Sequence, residues 1–174
     1  MNIAITGHTR GIGCAISALF KNDTVLGLSR STGYDIRNTE SIIDSVKDCD
    51  IFINNAYDGG CQTAILSALA AVWKNTDKLI ITIGSTVTDY PRSEIHLDKE
   101  PFPYRDYKRE LRDTFRVLSR LPNSCRMSLV SPGATDTDMI KHLTTVKMDP
   151  LTVAKTVQYV IDNPFIKEIT IYEK

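Results

Sequence analysis

The chain has 174 residues, 42% hydrophobic and 24% charged, enough to bury one core and ordinary for a globular domain. Lysine and arginine number 21 and aspartate and glutamate 21, a balance that argues against general attraction to nucleic acid or to an anionic membrane surface. The opening MNIAITGHTR lacks a basic leader with an apolar run, and no window holds about eighteen uninterrupted apolar residues. Neither a signal peptide nor a membrane span is expected, and the expected location is the cytoplasm. Cys14, Cys49, Cys61 and Cys125 form no C-x-x-C pair and have no histidines at metal spacing. They read as reduced, buried thiols, without a disulfide frame or a metal site.

Along the chain, strand-like and helix-like runs alternate. IAIT is a short apolar strand, followed by the helical GCAISALF and a second strand, TVLGLS. TESIIDSVKD reads as a helix, with Thr39 as N-cap candidate. DIFINN is a strand, TAILSALAAVWKN a strongly apolar helix, and KLIITIGS a strand. Residues 86–103 are polar, contain three prolines and read as a long loop. DYKRELRDTFRVLSRL is an amphipathic helix, with Leu111, Phe115 and Leu118 spaced three and four apart. CRMSLVSPG runs from strand to a Pro-Gly break, LTVAKTVQYVIDN is a helix, and EITIYEK a last strand. Such alternation implies parallel strands joined by right-handed helical crossovers, with helices on both faces. LIITI, apolar throughout, fits a strand covered on both sides. No repeat or linker divides the chain, so one domain over residues 1–174 is expected.

IAITGHTRGIGCAIS places Gly7, Gly11 and Gly13 between the first strand and the first helix. Glycines there let the backbone turn tightly and approach a phosphate, and the helix N-terminus offers free N–H groups and a positive dipole end. The spacing is T-G-x-x-x-G-x-G rather than G-x-G-x-x-G, and it resembles that of the short-chain dehydrogenase/reductase family. At the end of the second strand, LSRS carries no carboxylate that would hold the ribose hydroxyls of NAD. Ser29, Arg30 and Ser31 offer a cation and two hydroxyls, and Arg10 adds a second cation. Two arginines converging on a 2′-phosphate suit NADP(H) over NAD(H).

The resemblance extends over most of the chain. YDIRN looks like the adenine contact of the family, with Asp35 and Ile36. NNAY resembles the N-N-A-G motif through Asn54, Asn55 and Ala56, with Tyr57 in place of glycine. ITIGS puts Ser85 where the family keeps its catalytic serine, and YRDYK supplies Y-x-x-x-K as Tyr104 and Lys108. SPGATDT resembles the Pro-Gly turn near the nicotinamide, through Pro132, Gly133, Thr135 and Thr137. The resemblance implies a three-layer α/β/α Rossmann fold, a doubly wound, mostly parallel sheet of order 3-2-1-4-5-6-7 with a rudimentary third strand. It implies that Thr9, Arg10 and Ile12 join the three glycines in holding the cofactor. Tyr104 and Lys108 would contact it as well.

The chemistry of YRDYK follows from helix geometry. Residues four apart share a face, so Tyr104 and Lys108 can act together, whereas Tyr107 and Lys108 point apart. A carbonyl reduction needs a hydride from the cofactor and a proton for the oxygen. A nearby ammonium favours phenolate and brings a tyrosine toward useful acidity. Tyr104 is then the proton donor, Lys108 its modulator and a holder of the nicotinamide ribose, and Ser85 a hydrogen-bond donor to the substrate oxygen. Tyr107 is expected in the core or at a subunit interface.

Three departures stand against the resemblance. Only STGY separates Arg30 from Asp35, too little for a helix before the third strand. The stretch from Asn55 to Ser85 is compressed and has no asparagine where the family keeps a catalytic one; Asp58 or a water is the substitute considered. The gap from Ser85 to Tyr104 is long, and Glu and prolines before the Y-x-x-x-K helix resemble the extended, sugar-nucleotide branch. Only IKHLTTVKMDP is available for a substrate lid, so the site is open or completed by a second subunit of a homo-oligomer, dimer or tetramer; Val72, Trp73 and TAILSALAAV could form that interface, but packing of most of them on the sheet is the favoured reading. His8 reads as a spacer in the turn, His96 and His142 as surface residues, and Asp136 and Asp138 as helix caps. The expected function is an NADP(H)-dependent oxidoreductase acting on a small carbonyl or secondary alcohol. The alternatives are a catalytically silent NADP(H) sensor and a sugar-nucleotide epimerase or reductase.

Overall fold

The apolar runs become six short strands in the computed structural model, which describes residues 1–90 and 104–173. They are β1 (Asn2–Thr6), β2 (Thr24–Leu28), β3 (Ile51–Asn54), β4 (Leu79–Ile83), β5 (Arg126–Pro132) and β6 (Glu168–Ile171). All pair in parallel, in the order β2-β1-β3-β4-β5-β6. Between them run α1 (Gly11–Leu19), α2 (Thr39–Val46), α3 (Cys61–Val72), α4 (Tyr104–Leu118) and α5 (Pro150–Asp162).

The two-residue period of the strands divides their side chains between two cores. Ile3, Ile5, Ile51, Ile53, Leu79 and Ile81 pack with Ile16 of α1 and with Val153, Val157 and Val160 of α5. Ala4, Phe52 and Ile80 pack with Ile42 of α2, Ile65 and Leu69 of α3, and Leu111 and Phe115 of α4. The result is the three-layer, doubly wound α/β/α fold. Each such side chain gains about 1.5–3 kcal/mol by leaving water, so β3 and β4, buried along their whole length, are held from both sides. No helix among the described residues is long and apolar enough to cross a membrane. All four cysteines are free, with Cys49 and Cys125 buried, Cys61 half-buried and Cys14 exposed.

Several expectations change. No third strand forms beyond β2. Arg30–Thr32 make a short 3-10 helix, Gly33 ends it at φ 87°, and Asp35 accepts from the Arg37 amide in a tight turn leading to α2. Tyr34 and Ile36 instead pack over the core beside Leu26, so a loop covers that edge of the sheet. The N-cap of α2 is Asn38, whose side chain accepts from Ser41 N, rather than Thr39. Trp73 is 1% exposed, with Nε1 donating to Lys47 O, and packs in the core, in line with the favoured reading, whereas Val72 is exposed. The loop read for 86–103 begins with a 3-10 helix, Thr86–Asp89; from residue 91 on, His96 included, it lies outside the described residues.

The chain leaves β1 toward β2 on one side and returns to β3 on the other. That reversal opens a crevice above the carboxyl ends of β1 and β3, where ligands bind in open α/β sheets.

Candidate active site

The glycine turn is held by side chains of the neighbouring strand end. Thr6 Oγ1 accepts from Asn55 N and Ala56 N at 2.9 and 3.0 Å, and Asn55 Nδ2 donates to Thr6 O at 2.9 Å. Gly7 has φ 71°, a left-handed conformation that glycine adopts without cost. Gly13 is needed for another reason: a Cβ there would lie 2.2 Å from the Gly7 carbonyl oxygen. The turn is thereby compressed onto the first residues of α1. Arg10, the N-cap of α1, makes no side-chain cap hydrogen bond, so the first N–H groups of α1 receive none from it. The His8 ring lies against Gly27 of β2, where a Cβ would come within 2.3 Å of it, so His8 fills the space over β2.

At the end of β2, Ser29 Oγ and Ser31 Oγ are 2.8 Å apart, and Thr32 Oγ1 ties back to the Gly27 and Ser29 carbonyls. Arg10 and Arg30 are exposed and form no ion pair among the described residues. Asp35 does not present a bare carboxylate. Arg37 donates to it from its backbone N, Nε and Nη2, and these hydrogen bonds hold its carboxyl at about 2.

The second half of the crevice is built from buried and half-buried side chains. Lys108 is 3% exposed, and its Nζ donates to Gln62 Oε1 at 2.7 Å and to Ile83 O at 2.8 Å. Nζ lies 5.5 Å from the Tyr104 ring centroid and 5.7 Å from that of Tyr57. Those two rings meet edge to face at 4.8 Å. Burial brings the Lys108 ammonium down to about 7, so its charge changes near neutrality. Ser85 lies two residues beyond Ile83, the carbonyl that holds Lys108. Its Oγ accepts from Val87 N at 3.2 Å, which fixes the oxygen and leaves the hydroxyl proton for another acceptor. The Tyr107 ring packs on Gly59 and Gly60, at the entry to α3.

The Pro-Gly turn closes the far side. Thr137 brings its methyl against Gly11, where a Cβ would lie 3.0 Å from it. Thr135 is buried and donates to Gly133 O at 3.0 Å. Ala134 N donates to Glu173 Oε2 at 2.9 Å, and a Cβ on Gly133 would collide with that carboxylate.

No family model matches the chain, and no curated protein does. Solved structures do match. A short-chain dehydrogenase from Burkholderia cenocepacia in complex with NADP superposes with TM-score 0.77 at 16% identity, over 97% of this chain and 86% of that one. The fold is that of the short-chain dehydrogenases. A small-chain dehydrogenase in complex with NADPH gives TM-score 0.76 at 17% identity, over 99% and 96% of the two chains. A 3-alpha-hydroxysteroid dehydrogenase from Pseudomonas sp. B-0831, complexed with NADH, gives 0.69 at 16%, over 99% and 95%.

Within this short-chain dehydrogenase fold, the residues singled out from sequence gather at one end of the sheet. Gly7, Gly11, Asn55, Ala56 and Thr137 meet around the turn. Tyr104 and Lys108 meet by α3, beside the carbonyl of Ile83. Asn54 is fully buried and donates to Gln62 O at 2.8 Å, so it supports the start of α3. Asp58, considered as substitute for the absent asparagine, is exposed and lies 3.8 Å from Arg37 Nε. The group at Lys108 is Gln62, which motif spacing does not reveal. A polar residue at a core position of an otherwise apolar helix is the signal that would have found it.

Proposed function

We propose that the protein is an NADP(H)-dependent oxidoreductase that interconverts a small carbonyl compound and its secondary alcohol. The observation that carries this reading is the buried Lys108 Nζ, 5.5 Å from the Tyr104 ring and tied to the carbonyl two residues before Ser85. The residues present fit a dinucleotide. The N-terminus of α1, which the Arg10 side chain leaves uncapped, and the Gly7–Gly13 turn suit a pyrophosphate. Arg10, Arg30, Ser29 and Ser31 suit a 2′-phosphate. Pro132, Gly133, Thr135 and Thr137 would flank the nicotinamide end.

The nicotinamide, when bound, supplies the hydride to the carbonyl carbon. The chain supplies the rest. Ser85 Oγ donates a hydrogen bond to the carbonyl oxygen and orients it. Tyr104 Oη gives that oxygen its proton, and in the reverse direction takes the proton of the alcohol as phenolate. Charged Lys108 favours the phenolate. Beyond Thr137, Met139, Leu143 and Val146 are exposed, leaving the substrate side open and suited to a small molecule with apolar flanks.

Calorimetric titration with NADPH and NADH, on wild type and Arg30→Ala, tests the reading. NADPH should bind more tightly, and Arg30→Ala should weaken it by about ten- to a hundredfold, the worth of a hydrogen bond to a charged group, while NADH is little affected. Absence of binding by either nucleotide would end the dehydrogenase reading. Tight binding with no turnover on a carbonyl panel would favour the sensor.

A further inference from the structure

Gln62 occupies the second position of α3 and is 2% exposed. A buried primary amide has two N–H donors and an acceptor to satisfy, and here all are used. Nε2 donates to Asn54 O at 2.8 Å and to Ile83 O at 3.3 Å, and Oε1 accepts from Lys108 Nζ at 2.7 Å. The opposite amide orientation would set Oε1 against two carbonyl oxygens and an N–H₂ against Nζ, so the surroundings select this one. Asn54 reinforces the placement, since its Nδ2 donates to Gln62 O while Gln62 Nε2 returns a bond to Asn54 O. Strand β3 and helix α3 are thus laced together at the residue that meets the lysine. Ile83 O, which accepts from both Lys108 and Gln62, adds β4 to the same junction.

We propose that Gln62 is the positioning residue for Lys108: its amide oxygen holds Nζ beside the Tyr104 ring and sets how readily that nitrogen carries charge. The proposal rests on the reading of Tyr104 and Lys108 as the acid/base pair. Among the described residues, the titratable groups facing Nζ are Tyr57, from the loop after β3, and Tyr104, from its own helix. The α3 and β4 contributions are the Gln62 amide and the Ile83 carbonyl, which do not titrate. No carboxylate among the described residues pairs with Lys108, and burial is the sole cause of its lowered pKa. An amide oxygen accepting from Nζ favours the ammonium over the amine. Gln62 therefore counters part of the burial, keeps Lys108 chargeable near neutral pH, and through that charge keeps the Tyr104 phenolate accessible.

The test compares wild type with Gln62→Met, which keeps length and removes the amide, and Gln62→Glu, which keeps the acceptor and adds charge. In the cofactor-free protein, the Lys108 titration is followed by NMR of side-chain-labelled lysine, with Lys108→Met identifying its signal. Gln62→Met should lower the proton affinity of Lys108 by about ten- to a hundredfold, and Gln62→Glu should raise it. In alcohol oxidation, the limb of the pH–rate profile set by Tyr104 should move to higher pH in Gln62→Met. A Lys108 midpoint that stays put in folded Gln62→Met overturns the proposal. Should Gln62→Met not fold, an unmoved midpoint in Gln62→Glu does the same. The NMR titration needs no nucleotide, so a wild type that binds neither NADPH nor NADH removes the dehydrogenase reading, whereas an unmoved Lys108 removes this one.

Discussion

The glycine turn at residues 7–13 is made of backbone, and the Tyr104–Lys108 pair across the same crevice is made of side chains, Lys108 buried and Tyr104 half-buried. In the turn, positive φ at Gly7 and Gly11 and the contact of Gly13 on the Gly7 carbonyl do the shaping; the charges that would meet a ligand, Arg10 and Arg30, remain in water. At the other end, a lysine at 3% exposure is held by a glutamine at 2%. Backbone sites tolerate changes in exposed side chains but not an added Cβ. A buried polar junction depends on each of its members, because a group left without its partner cannot turn to water.

The largest effect separates the two regions by function. Tyr104→Phe should lower turnover by about a hundredfold to ten-thousandfold, the usual worth of a positioned acid/base, with NADPH affinity nearly unchanged in a calorimetric titration. Equal loss of affinity and turnover would mean that Tyr104 holds the nucleotide instead of moving a proton.

Gly13→Ala acts on the backbone side. Its Cβ meets the Gly7 carbonyl oxygen at 2.2 Å, so turn and helix must separate. A cost of about 1–3 kcal/mol is expected from overpacking, read as a lower denaturant midpoint, together with weaker NADPH binding. Unaltered stability would show that the turn is looser than the contact implies.

A third effect is a pH dependence on the buried side. Folded Lys108 titrates at about 7, below its ordinary 10.5. Below pH 7 both folded and unfolded states are protonated and the fold bears the full cost of a buried charge. Between about 7 and 10.5 the unfolded chain keeps the proton and the fold has released it, so stability rises with pH through that window. Relative to wild type, Lys108→Met should therefore look best at pH 6 and lose ground toward pH 10. Each 1 kcal/mol corresponds to about 2–4 °C in Tm for a chain this size. A Tm difference that does not vary with pH would mean that Lys108 keeps its ordinary proton affinity in the fold.

Composition, period and glycine spacing suffice for much of this. Alternating apolar runs announce parallel strands and helices because burial on one or two faces leaves a repeating trace in the chain. T-G-x-x-x-G-x-G marks a turn because only glycine meets its backbone demands. Tyr104 and Lys108 stand four apart because one helix face has to carry both. What the chain could not announce depends on residues distant in sequence. The loop at Tyr34 and Ile36 that replaces a third strand is decided by the core it covers. Glu173 meets Ala134 N only because β6 lies beside β5. Gln62 meets Lys108 across 46 positions of chain, through the packing of α3 on α4. Local pattern is enough where one element satisfies its own constraints. Where a buried polar group needs partners from three elements, tertiary structure alone decides which residues they are.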